Sequence, residues 1–515
     1  MRSWAAWVET AVVFLVFALY AAYPVPEPNE PHYLGKAKHY WNPAWIERDF
    51  FLDSADSHWA FYVAFGWLTR FASLPATAWI GRIATWALLA AAWRRLSFSV
   101  VPRPGAAILS AVLFVALCEH CHMAGEWAVG GFEAKGVAYA LVFAGLAELV
   151  RNRWNTAWIL FGAAAAFHVL VGGWAAIAAG LAWLASPTDR PRLSSIVPGL
   201  AVGLLLSLAG VIPALRLTLG ADPLVASEAA YIYVYERLPH HLSFFSFRPW
   251  FRLRFAILIL TWLLLDRLVP ADTGARRLRR FISATLVFVA IGIVLSVLSR
   301  SRPDLAARLL RYYWFRFSDV MLPAGVALGL TGGALLLGAA RPRWRFVPPV
   351  VLGVVACALL APQIDARLHP AAPRADKAGK VRNYADWRDA CAWIAANTPA
   401  DARFLTPRSA QTFKWHAERS EVVTWKDLPQ DAESIVAWWR RLNDVHGTEA
   451  VPGTDDTQPR WHASLADLGA EKLQQLGLQF DAQYVLTEAE PPLDLPCLYR
   501  NDTYAVYRLS REESQ

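Results

Sequence analysis

The densest run of side chains able to do chemistry lies between Pro24 and His58, PVPEPNEPHYLGKAKHYWNPAWIERDFFLDSADSH, directly after an apolar N-terminal segment. Glu27, Glu30, Glu47, Asp49, Asp53 and Asp56 are interleaved there with aromatics and short apolar pieces, the mixture of a loop folded against a surface and unlike a disordered tether. A carboxylate held at a membrane face can take a proton from an acceptor hydroxyl or ligate a divalent cation. Glu30, Asp49 and Asp53 are the candidates for that work, in Asn29-Glu30-Pro31-His32-Tyr33 and Arg48-Asp49-Phe50-Phe51-Leu52-Asp53. The competing reading of each acid taken singly is a solvated loop residue.

Three further stretches carry chemistry. Glu133 and Lys135 enter an apolar run together, and charges within a membrane cost about 2.5 to 3.5 kcal/mol, so they are expected to face the bundle interior as substrate contacts; the alternative for Glu133 is a helix-end charge. Just upstream, His120, His122 and Glu126 form a candidate metal site, set against simple helix-end packing. Cys118-x-x-Cys121-His122 also matches the c-type haem attachment pattern. Its position at the end of an apolar helix, with no second match, argues against haem. The segment from Arg300 to Asp319 holds Arg311-Tyr312-Tyr313-Trp314-Phe315-Arg316, where Arg311 and Arg316 suit a lipid phosphate or pyrophosphate and the aromatics suit its apolar tail. Interface anchoring is the alternative for these arginines. The loop Tyr231 to His241 offers aromatic surfaces to a sugar, and Trp425-Lys426-Asp427 has the density of a binding face, though packed loops explain both.

The elements that must position these residues are membrane helices. Apolar runs near 4–23, 77–93, 105–120, 133–150, 157–169, 172–186, 198–218, 252–268, 282–299, 318–339 and 346–362 predict a polytopic transmembrane bundle of about eleven helices. The stretch 59–75 reads as interfacial. The run 157–185 would be about 43 Å long as one helix, more than a ~30 Å hydrocarbon core, so a hairpin broken at Val171-Gly172-Gly173 is expected. With that hairpin the loops 24–76, 119–132, 219–251 and 300–317 share the extracytoplasmic face, because Arg94, Arg95, Arg103, Arg151 and Arg153 mark the cytoplasmic one.

Past a Pro- and Ala-rich linker at 363–381, residues 382–515 have no membrane-length run and alternate helical and strand patterns. This predicts a small soluble α/β domain on the extracytoplasmic side, in which Cys391 and Cys497 are free to pair. The net charge of +8 sits in arginines beside apolar runs, which implies anionic lipid as the partner and no nucleic acid.

The layout of residues 1–362, with its first-loop motif, resembles the GT-C-type membrane glycosyltransferases, among them protein mannosyltransferases, oligosaccharyltransferases and lipid A aminoarabinose transferases. The resemblance implies transfer of a sugar from a polyprenyl-phosphate-linked donor to an extracytoplasmic acceptor, in the cell envelope of an integral membrane protein. It sets Glu30 on the second acid of the family's dyad and His32-Tyr33 on the pair that follows. Asn29 stands where the family usually has Asp, and an amide is no general base. Either Glu30, Asp49 or Asp53 substitutes, or the chain binds or transports a lipid or solute without catalysis.

Overall fold

The computed structural model describes residues 3–340, 342–448 and 460–509. In chain order the bundle helices are α1 (Ser3–Ala21), α2 (Glu30–Trp41), α3 (Trp59–Phe65), α4 (Leu74–Val100), α5 (Ala106–Cys121), α6 (Ala134–Val150), α7 (Trp154–Phe167) and α8 (Val169–Leu184). They continue as α9 (Leu193–Arg216), α10 (Pro223–Tyr231), α11 (Pro239–Leu242), α12 (Pro249–Leu268), α13 (Thr273–Leu298), α14 (Pro303–Leu310), α15 (Arg316–Ala340) and α16 (Val347–Leu368). Among the described residues, five segments are long and apolar enough to cross a membrane by length and composition: α1 from Trp4, α9, α13, α15 and Pro342–Leu368. Their outward faces carry exposed large apolar side chains such as Leu204, Leu205, Val294 and Val354, the surface of helices whose solvent is lipid. Among the other helices, α6 is buried along most of its length although it opens with Lys135, and α4 buries Arg82 in its third turn.

The hairpin is present, but its break falls elsewhere. α7 and α8 part at His168, whose extended backbone (φ −144°, ψ 100°) interrupts the helix while its ring accepts from the Val171 amide at 3.3 Å. Gly172 lies within α8 and serves a different purpose. A Cβ there would sit 2.0 Å from the Ala165 nitrogen, so glycine is what lets the two helices close on each other.

The first loop is more ordered than a surface loop, since α2 and α3 run through it; the later loops likewise hold α10, α11 and α14. α16 extends to Leu368, into the stretch expected to be linker, and Arg367 at its end bonds Glu119 at 2.6 Å. The following residues then pack on the first loop, where the Ala375 amide donates to the Pro26 carbonyl.

The C-terminal domain is the small α/β unit that its patterning predicts. It comprises α17 (Tyr384–Asn397), α18 (Phe413–Ala417), α19 (Ala432–His446) and α20 (Gly469–Phe480) on a sheet of β1 (Arg403–Leu405), β2 (Ser420–Glu421), β3 (Tyr484–Glu488), β4 (Cys497–Arg500) and β5 (Tyr504–Arg508). The strand order is β2-β1-β3-β5-β4, parallel where β1 meets β2 and β3, antiparallel where β5 meets β3 and β4. Cys391 is buried in α17 and Cys497 is exposed on edge strand β4, so both remain free thiols and the pairing left open by the sequence is not made.

Candidate functional site

Between the bundle and the C-terminal domain lies a cavity of about 440 Å³. Its wall is assembled from every loop on that face. Asn29, His32, Tyr33 and His58 come from the first loop, Glu126 and Trp127 from the second, His168 and Trp174 from the α7–α8 corner, and Arg237, His240 and His241 from the loop after α9. Tyr313 and Arg316 enter from the start of α15, and Lys380, Gln411, Trp425 and Lys426 from the C-terminal part.

Asn29 stands at the N-terminus of α2, where an amide side chain would normally cap the exposed amides. It makes no such bond. Its Nδ2 instead donates to Glu133 Oε2 at 2.8 Å, and its Oδ1 accepts from Lys426 Nζ at 2.6 Å, joining the first loop, the second loop and the C-terminal domain at one point. A carboxylate in this place could not donate to Glu133, so the amide is matched to these two neighbours.

The residue after it has a different environment. Glu30 is fully buried and accepts from Arg82 Nε and Nη2, both at 2.6 Å, and from the Glu27 and Phe132 amides, both at 2.8 Å. Four donors occupy its two oxygens, which makes it a pin between α2, α4 and the second loop. Asp49, also fully buried, accepts from the Phe51, Leu52 and Glu421 amides and lies 3.7 Å from Lys414, tying the first loop to the C-terminal domain. Asp53 is exposed and bonded to His39 Nε2 at 3.0 Å. Neither aspartate lines the cavity.

The cavity's own acid is Glu126. Its Oε2 lies 3.3 Å from Arg316 Nη1 and 3.7 Å from Lys135 Nζ, near enough for charge pairing, yet it is buried without a hydrogen bond. Lys135 sits over the Trp127 ring, 3.4 Å from its centroid, and 3.5 Å from Glu133 Oε1, the same oxygen that accepts from Trp127 Nε1. Arg316 Nε is likewise buried and unbonded.

The C-terminal domain contributes charge as well as a cover. Lys426 is brought down to about pH 7, first by burial and then by the Arg237 charge nearby, with Glu133 pulling the other way. Asp427 approaches His32 Nδ1 at 3.6 Å and binds Lys414 at 2.6 Å. Burial raises the Asp427 carboxyl, but Lys414 and His32 outweigh it and hold it at about 2. Burial lowers His32, and takes His240 down to about 4, so these rings enter the site as neutral imidazoles near pH 7.

Of the residues singled out in the sequence, His32, Tyr33, Glu126 and Arg316 line the cavity, while Glu133 and Lys135 stand directly behind it. Arg311 ends α14 and is not among the lining residues. His120, His122 and Glu126 do not converge: His120 Nε2 pairs with the Leu359 carbonyl, His122 Nδ1 with the Cys118 carbonyl, and Glu126 faces cations. Among the described residues no group of three or more His, Cys, Asp or Glu is gathered closely enough to hold a metal ion, so these side chains do not fit one. Cys118, the first residue of the haem-like string, is buried with its Sγ toward the Asp319 carbonyl. Gln411 and Lys380 escape sequence reasoning as site residues, and Arg237 is visible only as the cationic member of the Tyr231–His241 loop. Lys426 and Asp427 are visible only as part of a charged aromatic string whose reach into the bundle no local pattern reveals.

A family model described as a domain of unknown function (DUF6798) matches residues 385–445. No curated protein matches the chain. Among solved structures it is similar to ArnT from Cupriavidus metallidurans bound to undecaprenyl phosphate, at 13% identity and a TM-score of 0.50, over 99% of this chain and 98% of that one. It also matches the Archaeoglobus fulgidus oligosaccharyltransferase in complex with zinc and sulfate, at 12% identity and a TM-score of 0.42, over 94% of this chain and 67% of the other. The chain has the GT-C fold, a membrane helical bundle with a small C-terminal sheet domain.

Proposed function

We propose that this chain transfers a sugar from a polyprenyl-phosphate-linked donor to an acceptor on the extracytoplasmic face, with the cavity under the C-terminal domain as its active site. The observation that carries the reading is a set of buried polar atoms without hydrogen bonds around that cavity: Arg316 Nε, Glu126 Oε2, His32 Nδ1 and both amide atoms of Gln411. Buried polar groups are almost always paired, so such a cluster marks where a polar ligand completes the bonding. Arg237, Arg316, Lys380 and Lys426 face the space against one lining carboxylate, Glu126, among the described residues. An anion matches that balance, and guanidinium groups match phosphate oxygens. The undecaprenyl phosphate bound to ArnT, a protein of the same fold, supports a lipid phosphate as that anion.

In this reading the acceptor oxygen attacks the anomeric carbon while its proton passes to Glu126. The bond from that carbon to the phosphate oxygen breaks, and the lipid phosphate stays on Arg316 and Lys426. Glu126 takes the role of base because Asn29 is an amide and Glu30 has its oxygens filled. A second reading, lipid or solute binding or transport without transfer, draws on Asn29 itself. The two part in one experiment: the full chain in nanodiscs is given undecaprenyl-phosphate-linked sugars and an extract of envelope acceptors, and release of undecaprenyl phosphate is followed. Release that disappears in Glu126→Gln, with undecaprenyl phosphate still bound, is the expected result; binding with no release by the unaltered chain favours the second reading.

A further inference from the structure

A second cavity, of about 670 Å³, opens at the opposite end of the bundle. α8 runs the length between the two. α8 starts beside His168 at the first cavity and ends at this one, and α13 reaches it through its opening turns. Arg276, Arg279 and Arg280 line it, and Asp266 is its one lining carboxylate among the described residues, 3.6 Å from Arg279. Two positive charges are therefore unmatched within the cavity.

The hydrogen bonds of these arginines sharpen the point. Arg276 donates to the Ala271 carbonyl at 2.8 Å and Thr273 Oγ1 at 3.1 Å, and Arg280 donates to Ser186 Oγ at 2.8 Å, all neutral acceptors. Arg277, next in the chain but turned away from the cavity, is bonded to Asp189 at 2.7 Å. The fold supplies a counter-charge to the buried Arg277 and to Arg279, and leaves Arg276 and Arg280, which face this space, on neutral acceptors alone. Apart from Ser283 the remaining wall is apolar, and Val287 is nearly half exposed.

We propose that this cavity seats the phosphate headgroup of an anionic membrane lipid, held by Arg276 and Arg280, with an acyl chain along Val287. Guanidinium groups pair with phosphate oxygens in bidentate fashion, and basic pockets between membrane helices take anionic headgroups. The apolar wall selects an amphiphile over a free phosphate. This site is independent of any sugar transfer.

Native mass spectrometry of the full-length protein tests it, after exchange into detergent with added phosphatidylglycerol or phosphatidylcholine. The expected result is retention of one phosphatidylglycerol beyond any phosphatidylcholine. Retention should fall by roughly thirtyfold in Arg276→Gln/Arg280→Gln, at about one arginine's surface contribution each. Val287→Trp, which keeps all three arginines and fills the wall, should lose it too, and glycerol 3-phosphate should not displace the lipid. Equal retention of both lipids, or full retention in Val287→Trp, overturns the proposal. Displacement by glycerol 3-phosphate would assign the arginines to a soluble anion and overturn it as well. An unchanged unfolding temperature guards the charge variant, and Val287→Trp decides the matter if that variant does not fold.

Discussion

The first loop and the junction of the second loop with α15 are both rich in charge, and they use it in opposite ways. In the first loop the acids are spent on structure. Glu30 accepts four hydrogen bonds, Asp49 accepts three from backbone amides, and the exposed Asp53 bonds the half-buried His39. At the junction, Glu126 is buried and Arg316 half-buried, yet Glu126 Oε2 and Arg316 Nε are buried atoms without a hydrogen bond. A saturated carboxylate has no lone pair for a proton from a substrate, and an unsatisfied one has paid desolvation for something still to arrive. The difference teaches that density of acids locates a folded loop, whereas incomplete bonding locates a site.

The largest effect should fall on the incomplete side. Glu126→Gln preserves shape and removes the proton acceptor, so sugar transfer should drop by about 10²- to 10⁴-fold, the usual range for a lost general base. Measuring release of lipid phosphate beside its binding keeps the roles apart; unimpaired release would end the assignment. On the saturated side, Glu30→Gln leaves Arg82 buried without its counter-charge. Stability should fall by about 3 to 5 kcal/mol, seen as a lower unfolding temperature in detergent. A Glu30→Gln protein that unfolds normally yet transfers no sugar would erase the contrast between the regions.

How far these roles are legible in the sequence follows from the range of the forces involved. The bundle is legible because lipid forces backbone bonding inside each helix, and the apolar runs near 4–23, 282–299 and 318–339 reappear as α1, α13 and α15. α2 is not, since its lysines and histidines mask the buried Leu34 and Ala37 behind a polar average. Glu30 reads as catalytic until Arg82 is placed against it, and Arg82 hides within an apolar run. The bond from Lys426 to Asn29 spans 397 residues, and no periodicity encodes a contact of that separation. Asn29 itself illustrates the limit: by type it reads as a lost base, and by position it reads as the joint between Glu133 and Lys426.

A smaller effect tests that joint. Lys426 sits at about 7, lowered by burial and by Arg237. Below that pH the amine is charged and can hold a phosphate; as pH rises through it the charge is lost. Affinity for undecaprenyl phosphate should therefore weaken by up to about tenfold between pH 6 and pH 8, one charge-assisted hydrogen bond's share. Lys426→Arg keeps its charge across that interval and should flatten the curve. By reciprocity, bound phosphate should raise the pKa of Lys426 itself. A slope that persists in Lys426→Arg would assign the titration elsewhere in the cavity.

The smallest expected effect is the sharpest check on the comparison, because it concerns an acid in the densest part of the first loop. Asp53→Asn alters an exposed side chain whose recorded partner is His39, and it touches neither the cavity wall nor the Lys414 cluster. Exposed pairs contribute about 0 to 1 kcal/mol, and asparagine can still bond the ring. Stability should move by less than about 0.5 kcal/mol, and both binding and release of undecaprenyl phosphate should match the unaltered chain. Loss of release in Asp53→Asn at normal stability would mean that the first loop swings into the cavity during turnover. Its acids would then be reserved for chemistry, and incomplete bonding in the resting structure would no longer separate the two regions.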